Sequence, residues 1–236
     1  MKATTASSAK TFLRCGIFVA PLFYGAALIQ LLMEPEFDLR RLPISFLSLG
    51  RLGWVQDSSF LICGLLATAF SFGLRRTIRG ERGGTWGPIL IGLYGIGMMM
   101  AGIFHPDPAF GFPPGAPAGM PSSMSLHAVL HMVAFFIAFI ALIAGSFVFA
   151  RRFALLRHRG WAIYSVMSGV AGPVLVVAGS FDQNWSGIII ASAGLVLFGW
   201  LSLLAVPLGA MLSWSLPSNG KISPKHTAPD QAPVVD

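Results

Sequence analysis

Charge is what this chain has least of. Only 11% of its 236 residues are Asp, Glu, Lys or Arg, whereas 55% are hydrophobic and the mean hydropathy is +0.73. So little polar surface cannot cover a water-soluble globule of this length, so composition places the chain in a bilayer. Cysteine is scarce too: Cys15 and Cys63 lie within or at the edge of apolar runs and give no basis for a disulfide framework or a thiolate metal motif. Nine acidic residues face sixteen Lys and Arg, a net charge of +7. In a soluble domain that excess would suggest nucleic acid. Here the basic residues fall in short clusters between apolar runs, the pattern of membrane topology signals, and no nucleic-acid partner is expected. A phosphate loop, a dinucleotide fingerprint and a nucleophile elbow are all missing, which removes the basis for a nucleotide-dependent or soluble-type enzyme.

What the chain does have is long apolar runs. A helix crosses roughly 30 Å of hydrocarbon with about 20 residues, and six runs of that order are present: 12–33, 55–74, 86–104, 126–150, 161–181 and 188–212. Lys2, Lys10 and Arg14 precede the first, but that run is longer than a signal-peptide core and no small-x-small cleavage site follows, so it reads as a retained helix. Backbone groups in lipid must be satisfied within helices or closed barrels, and these runs are too long for barrel strands. The expected fold is all-α, an integral membrane bundle of six transmembrane helices. Gly64, Gly92, Gly95, Gly97, Gly169, Gly172 and Gly194 should let helix backbones approach closely, and Pro21, Pro173 and Pro207 should kink their helices.

Loop charges orient the bundle. Arg75, Arg76, Arg79 and Arg82 follow the second run, and Arg151, Arg152, Arg157 and Arg159 follow the fourth, on the side of the basic segment 1–11. The crossings 106–125 and 182–187 contain no Lys or Arg. Positive residues stay in the cytoplasm, so the N- and C-termini are expected there, in a bacterial plasma membrane. The segment 213–236, with Pro217, Pro224, Pro229 and Pro233 among polar residues, reads as a disordered cytoplasmic tail.

The loop 34–53 departs from this rule, since it lies outside yet carries Arg40, Arg41 and Arg51. Glu34, Glu36, Asp38 and the nearby Asp57 can neutralise them locally. The functional alternative is that Arg40 or Arg41 grips an anionic headgroup or substrate, with Ser45 and Ser48 helping to orient it. Leu39, Leu42, Ile44, Phe46, Leu47 and Leu49 make the loop too apolar to float in water, so it lies on the bilayer surface or folds over the bundle mouth.

Ionisable groups inside the apolar spans are few, and they gather in the stretch 103–131, IFHPDPAFGFPPGAPAGMPSSMSLHAVLH. His127 and His131 stand four apart and project from one helix face. The third run ends on the same side, which brings Asp107 and His105 to their level. Three accounts of this cluster stand. Helix-end histidines can bond loop carbonyls or water, and Asp107 between two prolines can be a turn residue. The set His127, His131, Asp107 and His105 could hold a divalent metal such as zinc, with an open position for an activated water. Or the groups form a metal-free polar or proton-relay site. A bis-histidine haem is disfavoured, because the first, second, fifth and sixth runs contain no histidine.

The order ISFLSLGRLGWVQ, GLRR, GGTWGP, AGIF-x-PDPAFGFPPGAPAG, LHAVLH and FVFARRFA resembles a bacterial membrane family, domain of unknown function 998. The resemblance runs from about the first helix to the sixth and implies a six-helix membrane protein with no assigned activity. Asp107, His127 and His131 match its typical residues, whereas His105 and Pro207 depart from its pattern. Three function classes follow. The first is a multi-pass membrane protein with a polar His/Asp site at its extracytoplasmic face, in a structural role or binding membrane lipids or a protein partner. The second is a metal-dependent membrane hydrolase acting on a lipid or lipid-linked substrate, in which Asp107, His127 and His131 would be catalytic. The third is a small transporter or permease.

Overall fold

The computed structural model describes residues 2–182 and 184–214. Helix α1 (Lys2–Cys15) passes through a 3-10 turn (Gly16–Phe18) into α2 (Val19–Met33), and these together make the first span. A second 3-10 segment (Ile44–Leu49) leads to α3 (Gly53–Thr77), followed by α4 (Trp86–Ile103), α5 (Leu126–Leu155), α6 (Arg159–Phe181) and α7 (Ser186–Trp214). Six of these spans are long and apolar enough to cross a membrane. The chain is an all-α, multi-pass membrane protein. The tail expected over 213–236 lies, from residue 215 onward, outside the described residues.

The helices run further into charged sequence than the apolar runs do. α5 has 30 residues, about 45 Å at 1.5 Å per residue, so its Arg151 and Arg152 lie beyond a hydrocarbon layer of roughly 30 Å. The 3-10 turn in the first span has a local cause. Pro21 has no N–H to offer the carbonyl of Ile17, one turn earlier, so the α-helical ladder is interrupted there. The N–H of Ala20 donates instead to Ser202 Oγ of α7 at 3.0 Å. Pro173 and Pro207 sit inside α6 and α7, which continue through them.

Consecutive spans pack as antiparallel neighbours, α3 on α4, α4 on α5, α5 on α6 and α6 on α7, and the first span packs against both α3 and α7. The ring of six is thereby closed. Lipid provides no hydrophobic drive for helices to associate, so close packing and polar links hold the ring. A Cβ on Gly64 would lie 2.6 Å from the carbonyl of Gly95, and one on Gly95 would lie 2.7 Å from the carbonyl of Gly64; the α3–α4 contact needs both glycines. Trp200 Nε1 of α7 donates to Ser165 Oγ of α6 at 3.0 Å, and Gln30 Nε2 of α2 donates to Gln56 Oε1 of α3 at 2.9 Å.

The two ends of the ring differ. At the basic end, Arg152 donates to the carbonyl of Arg82 and to the Glu81 carboxylate, and Arg75 donates to the carbonyl of Gly84, which fixes the α3–α4 turn. The opposite end, called the histidine end below, carries the loops 34–52 and 104–125. There the 34–52 loop folds inward. Phe37, Leu42, Ile44 and Leu47 are buried, Gly187 N donates to the carbonyl of Arg40, and Ser186 Oγ donates to the carbonyl of Arg41. A Cβ on Gly187 would lie 2.2 Å from the carbonyl of Leu39, so only glycine lets α7 start this close beneath the loop. Of the two placements open to this loop, the fold takes the one over the bundle mouth.

Candidate functional site

The loop roofs a cavity. Inside the ring at the histidine end lies a space of about 80 Å³, walled by Phe23, Tyr24, Phe60, Phe135, Phe139 and Phe198 together with Ala101, Ala134, Ala138 and Gly194. Its aromatic rings brace one another: Phe23 meets Phe60 and Phe198 at 5.2 Å between centroids, and Phe135 meets Phe139 at 4.3 Å. Tyr24 Oη donates to the carbonyl of Ala191 at 2.7 Å, in room that exists because residue 194 is glycine; a Cβ there would stand 2.6 Å from Tyr24 Oη.

A second, wider space of about 400 Å³ lies against the first, between α5, the ends of α6 and α7, and the two loops. Pro43, Ser45, His131, Phe135 and Ile190 line both spaces, which adjoin there; this shared wall is called the neck below. The rim of this vestibule includes Met124, Met132 and Ser180, all exposed, so it opens beside the α5–α6 seam. Both spaces are lined mainly by apolar side chains, and Ser45 and His131 are the two polar side chains common to them.

The family model described as a protein of unknown function (DUF998) matches residues 17–207. The chain belongs to this family. No curated protein matches it, and no solved structure does. The matched region of the DUF998 chain contains the first span from Ile17 onward, the next four spans, the sixth up to Pro207, the roofing loop and both cavities.

The candidate residues of this DUF998 protein fall into separate groups. His131 Nδ1 lies 2.7 Å from the carbonyl oxygen of Phe104, one of the carbonyls left without an intrahelical donor where α4 ends. His105 Nε2 lies 3.2 Å from Asp57 Oδ1, across the α3–α4 seam; both atoms are buried, and the approach does not have hydrogen-bond geometry. Asp107 is turned to the other side: it accepts from Ser125 N at 2.8 Å, while Ser125 Oγ accepts from Ala128 N and caps α5. Hydrogen bonds from Ser125, side chain and backbone, hold the Asp107 carboxyl below its usual range, and the nearby His127 adds to the effect. His127 is exposed, with its ring 5.5 Å from that of Phe104 and 6.5 Å from that of His105, and it lines neither cavity. Among the described residues no group of three or more His, Cys, Asp or Glu is placed to hold a metal ion. As placed, His105, Asp107, His127 and His131 do not form a ligand set.

The loop residues divide in the same way. Arg40 is turned onto Asp38, with Nε at 3.1 Å and Nη2 at 3.2 Å, and these bonds hold the Asp38 carboxyl low. Arg41 is exposed and lines neither cavity. Ser48 Oγ donates to the carbonyl of Ser45 and steadies the 3-10 segment. Ser45 is in the neck. In the sequence Asp57 reads only as a local counter-charge, and nothing in it marks the aromatic wall. Asp57 had a usable signal, an acid inside the first turns of an apolar span; Phe23, Phe60 and Phe198 had none beyond hydrophobicity.

Proposed function

We propose that this DUF998 protein binds one lipid-like amphiphile, admitted sideways from the bilayer through the vestibule, with its apolar part against the aromatic wall and its head at the neck. The observation that carries this reading is that the two cavities adjoin, sharing a wall that includes Ser45 and His131. Flexible Met120, Met124 and Met132 around the vestibule suit a chain of variable shape. In this reading the histidine end faces the extracytoplasmic side of a bacterial plasma membrane, supported by the arginines at the other end.

The test is native mass spectrometry of the full chain released from a mild detergent. The wild type is expected to carry one lipid-mass adduct, and Ser45→Phe, which plugs the neck from a loop, should lose it. A wild-type protein without an adduct, or a Ser45→Phe protein that keeps it, would overturn the proposal.

A further inference from the structure

The neck also discriminates between heads, and we infer that the ligand presents an uncharged hydroxyl rather than an anionic group. The inference rests on the lipid-binding reading above. The neck holds two polar side chains, and both can accept. A carbonyl can only accept, so the 2.7 Å contact of His131 Nδ1 with Phe104 O puts the ring hydrogen on Nδ1. In the neutral ring, the form an imidazole of ordinary pKa about 6.5 takes at pH 8, Nε2 then carries a lone pair. The carbonyl of Ala101 is a second backbone acceptor against the His131 ring, and Ser45 Oγ has no hydrogen-bond partner among the described residues, although the carbonyl of Ser45 is taken by Ser48.

Charge points the same way. No Lys or Arg lines either cavity, while the Asp107 carboxylate lines the vestibule that any head must pass. Arg40 is engaged by Asp38, and Arg51 lies against Glu34 and the carbonyl of Met33. A phosphate or carboxylate in the neck would meet a lone pair and a like charge with no cation to offset its lost hydration. An ammonium would suit Asp107, but the neck itself, walled by Pro43, Phe135 and Ile190, would strip its water without a counter-charge there. A hydroxyl can donate to His131 Nε2 and accept from Ser45 Oγ, and it carries the smallest desolvation cost of the three. Long-chain alcohols and the free hydroxyl of a monoacylglycerol have this chemistry.

The experiment is a competition by native mass spectrometry of the full chain at pH 8, using hexadecan-1-ol, its methyl ether, hexadecanoate and hexadecylamine at equal concentration. The alcohol should be retained at least about tenfold over the ether, the value of one net hydrogen bond of roughly 1.4 kcal/mol, and over the acid and the amine. Ser45→Ala and His131→Phe should each reduce that preference. Should His131→Phe fail to fold, Ser45→Ala alone decides, because its side chain sits on the roofing loop. Equal retention of ether and alcohol, or preference for the acid or amine, overturns the hydroxyl assignment and leaves the lipid-binding reading standing. Retention of none of the four overturns both.

Discussion

His131 Nδ1 and the carbonyl oxygen of Phe104, 27 residues apart in sequence, meet at 2.7 Å and join α5 to the end of α4. This bond separates the two histidines that the sequence presents as equivalents. His131→Ala removes a part-buried ring, leaves the Phe104 carbonyl without its donor and widens the cavity, so it should destabilise the protein by roughly 1–3 kcal/mol. His127→Ala removes an exposed ring that makes no hydrogen bond among the described residues, and it should stay within about 0.5 kcal/mol. Thermal unfolding of both variants in one detergent measures the difference; equal losses would contradict it.

The bond from Ser125 N to Asp107 gives a pH prediction. The folded carboxyl titrates below its unfolded value of about 3.9, so its contribution is fully present above that value and is lost as pH falls through the lower folded value. The Ser125 amide resonance should therefore stay in place from pH 8 to pH 5 and move only in stronger acid. In Asp107→Asn the acid-dependent movement should vanish.

Asp57 and His105 act as a pair. Asp57→Asn and His105→Gln should each cost on the order of 1 kcal/mol, and the double variant less than the sum, because the two part-exposed side chains approach to 3.2 Å and either single change removes that contact. A double-mutant cycle on melting temperature in detergent reads the coupling. Strict additivity would mean that the 3.2 Å approach contributes nothing.

The roofing loop is pinned by Glu34, which is 5% exposed and accepts from Leu52 N at 3.2 Å. Glu34→Ala should leave that N–H unsatisfied and Arg51 without its carboxylate, at a cost of roughly 1–3 kcal/mol. Limited proteolysis should then cut between residues 34 and 53 faster than in the wild type, with the transmembrane fragments intact.

The six spans were legible because lipid leaves the backbone few alternatives to the helix, so hydropathy and length suffice. The gathering of polar groups at one end was legible for the same reason: ionisable residues are rare in such spans. Their partners were not. Residues four apart on a helix are offset by about 40°, enough for His131 to face the cavities while His127 is exposed, and spacing alone does not tell which side the core lies on. Asp57 meets His105 because α3 packs on α4, a tertiary fact absent from either local segment. The leucines of the 34–53 loop exclude a loop free in water but leave a bilayer-surface and a roofing placement open; Gly187, which admits the loop over the mouth, is far away in the sequence.

The central claim is that a lipid chain lies inside the ring, and α5 carries its own control for it. Phe135 and Phe139 line the inner cavity, whereas Phe136 and Ile140 on the same helix are 49% and 60% exposed on the outer surface. A monoacylglycerol with a diazirine at the end of its chain, incorporated into phosphatidylcholine vesicles with the full-length protein and photolysed, should label Phe135 and Phe139 in the wild type, and Ser45→Phe should abolish that labelling. Labelling confined to Phe136, Ile140 and other outward-facing residues would contradict the account.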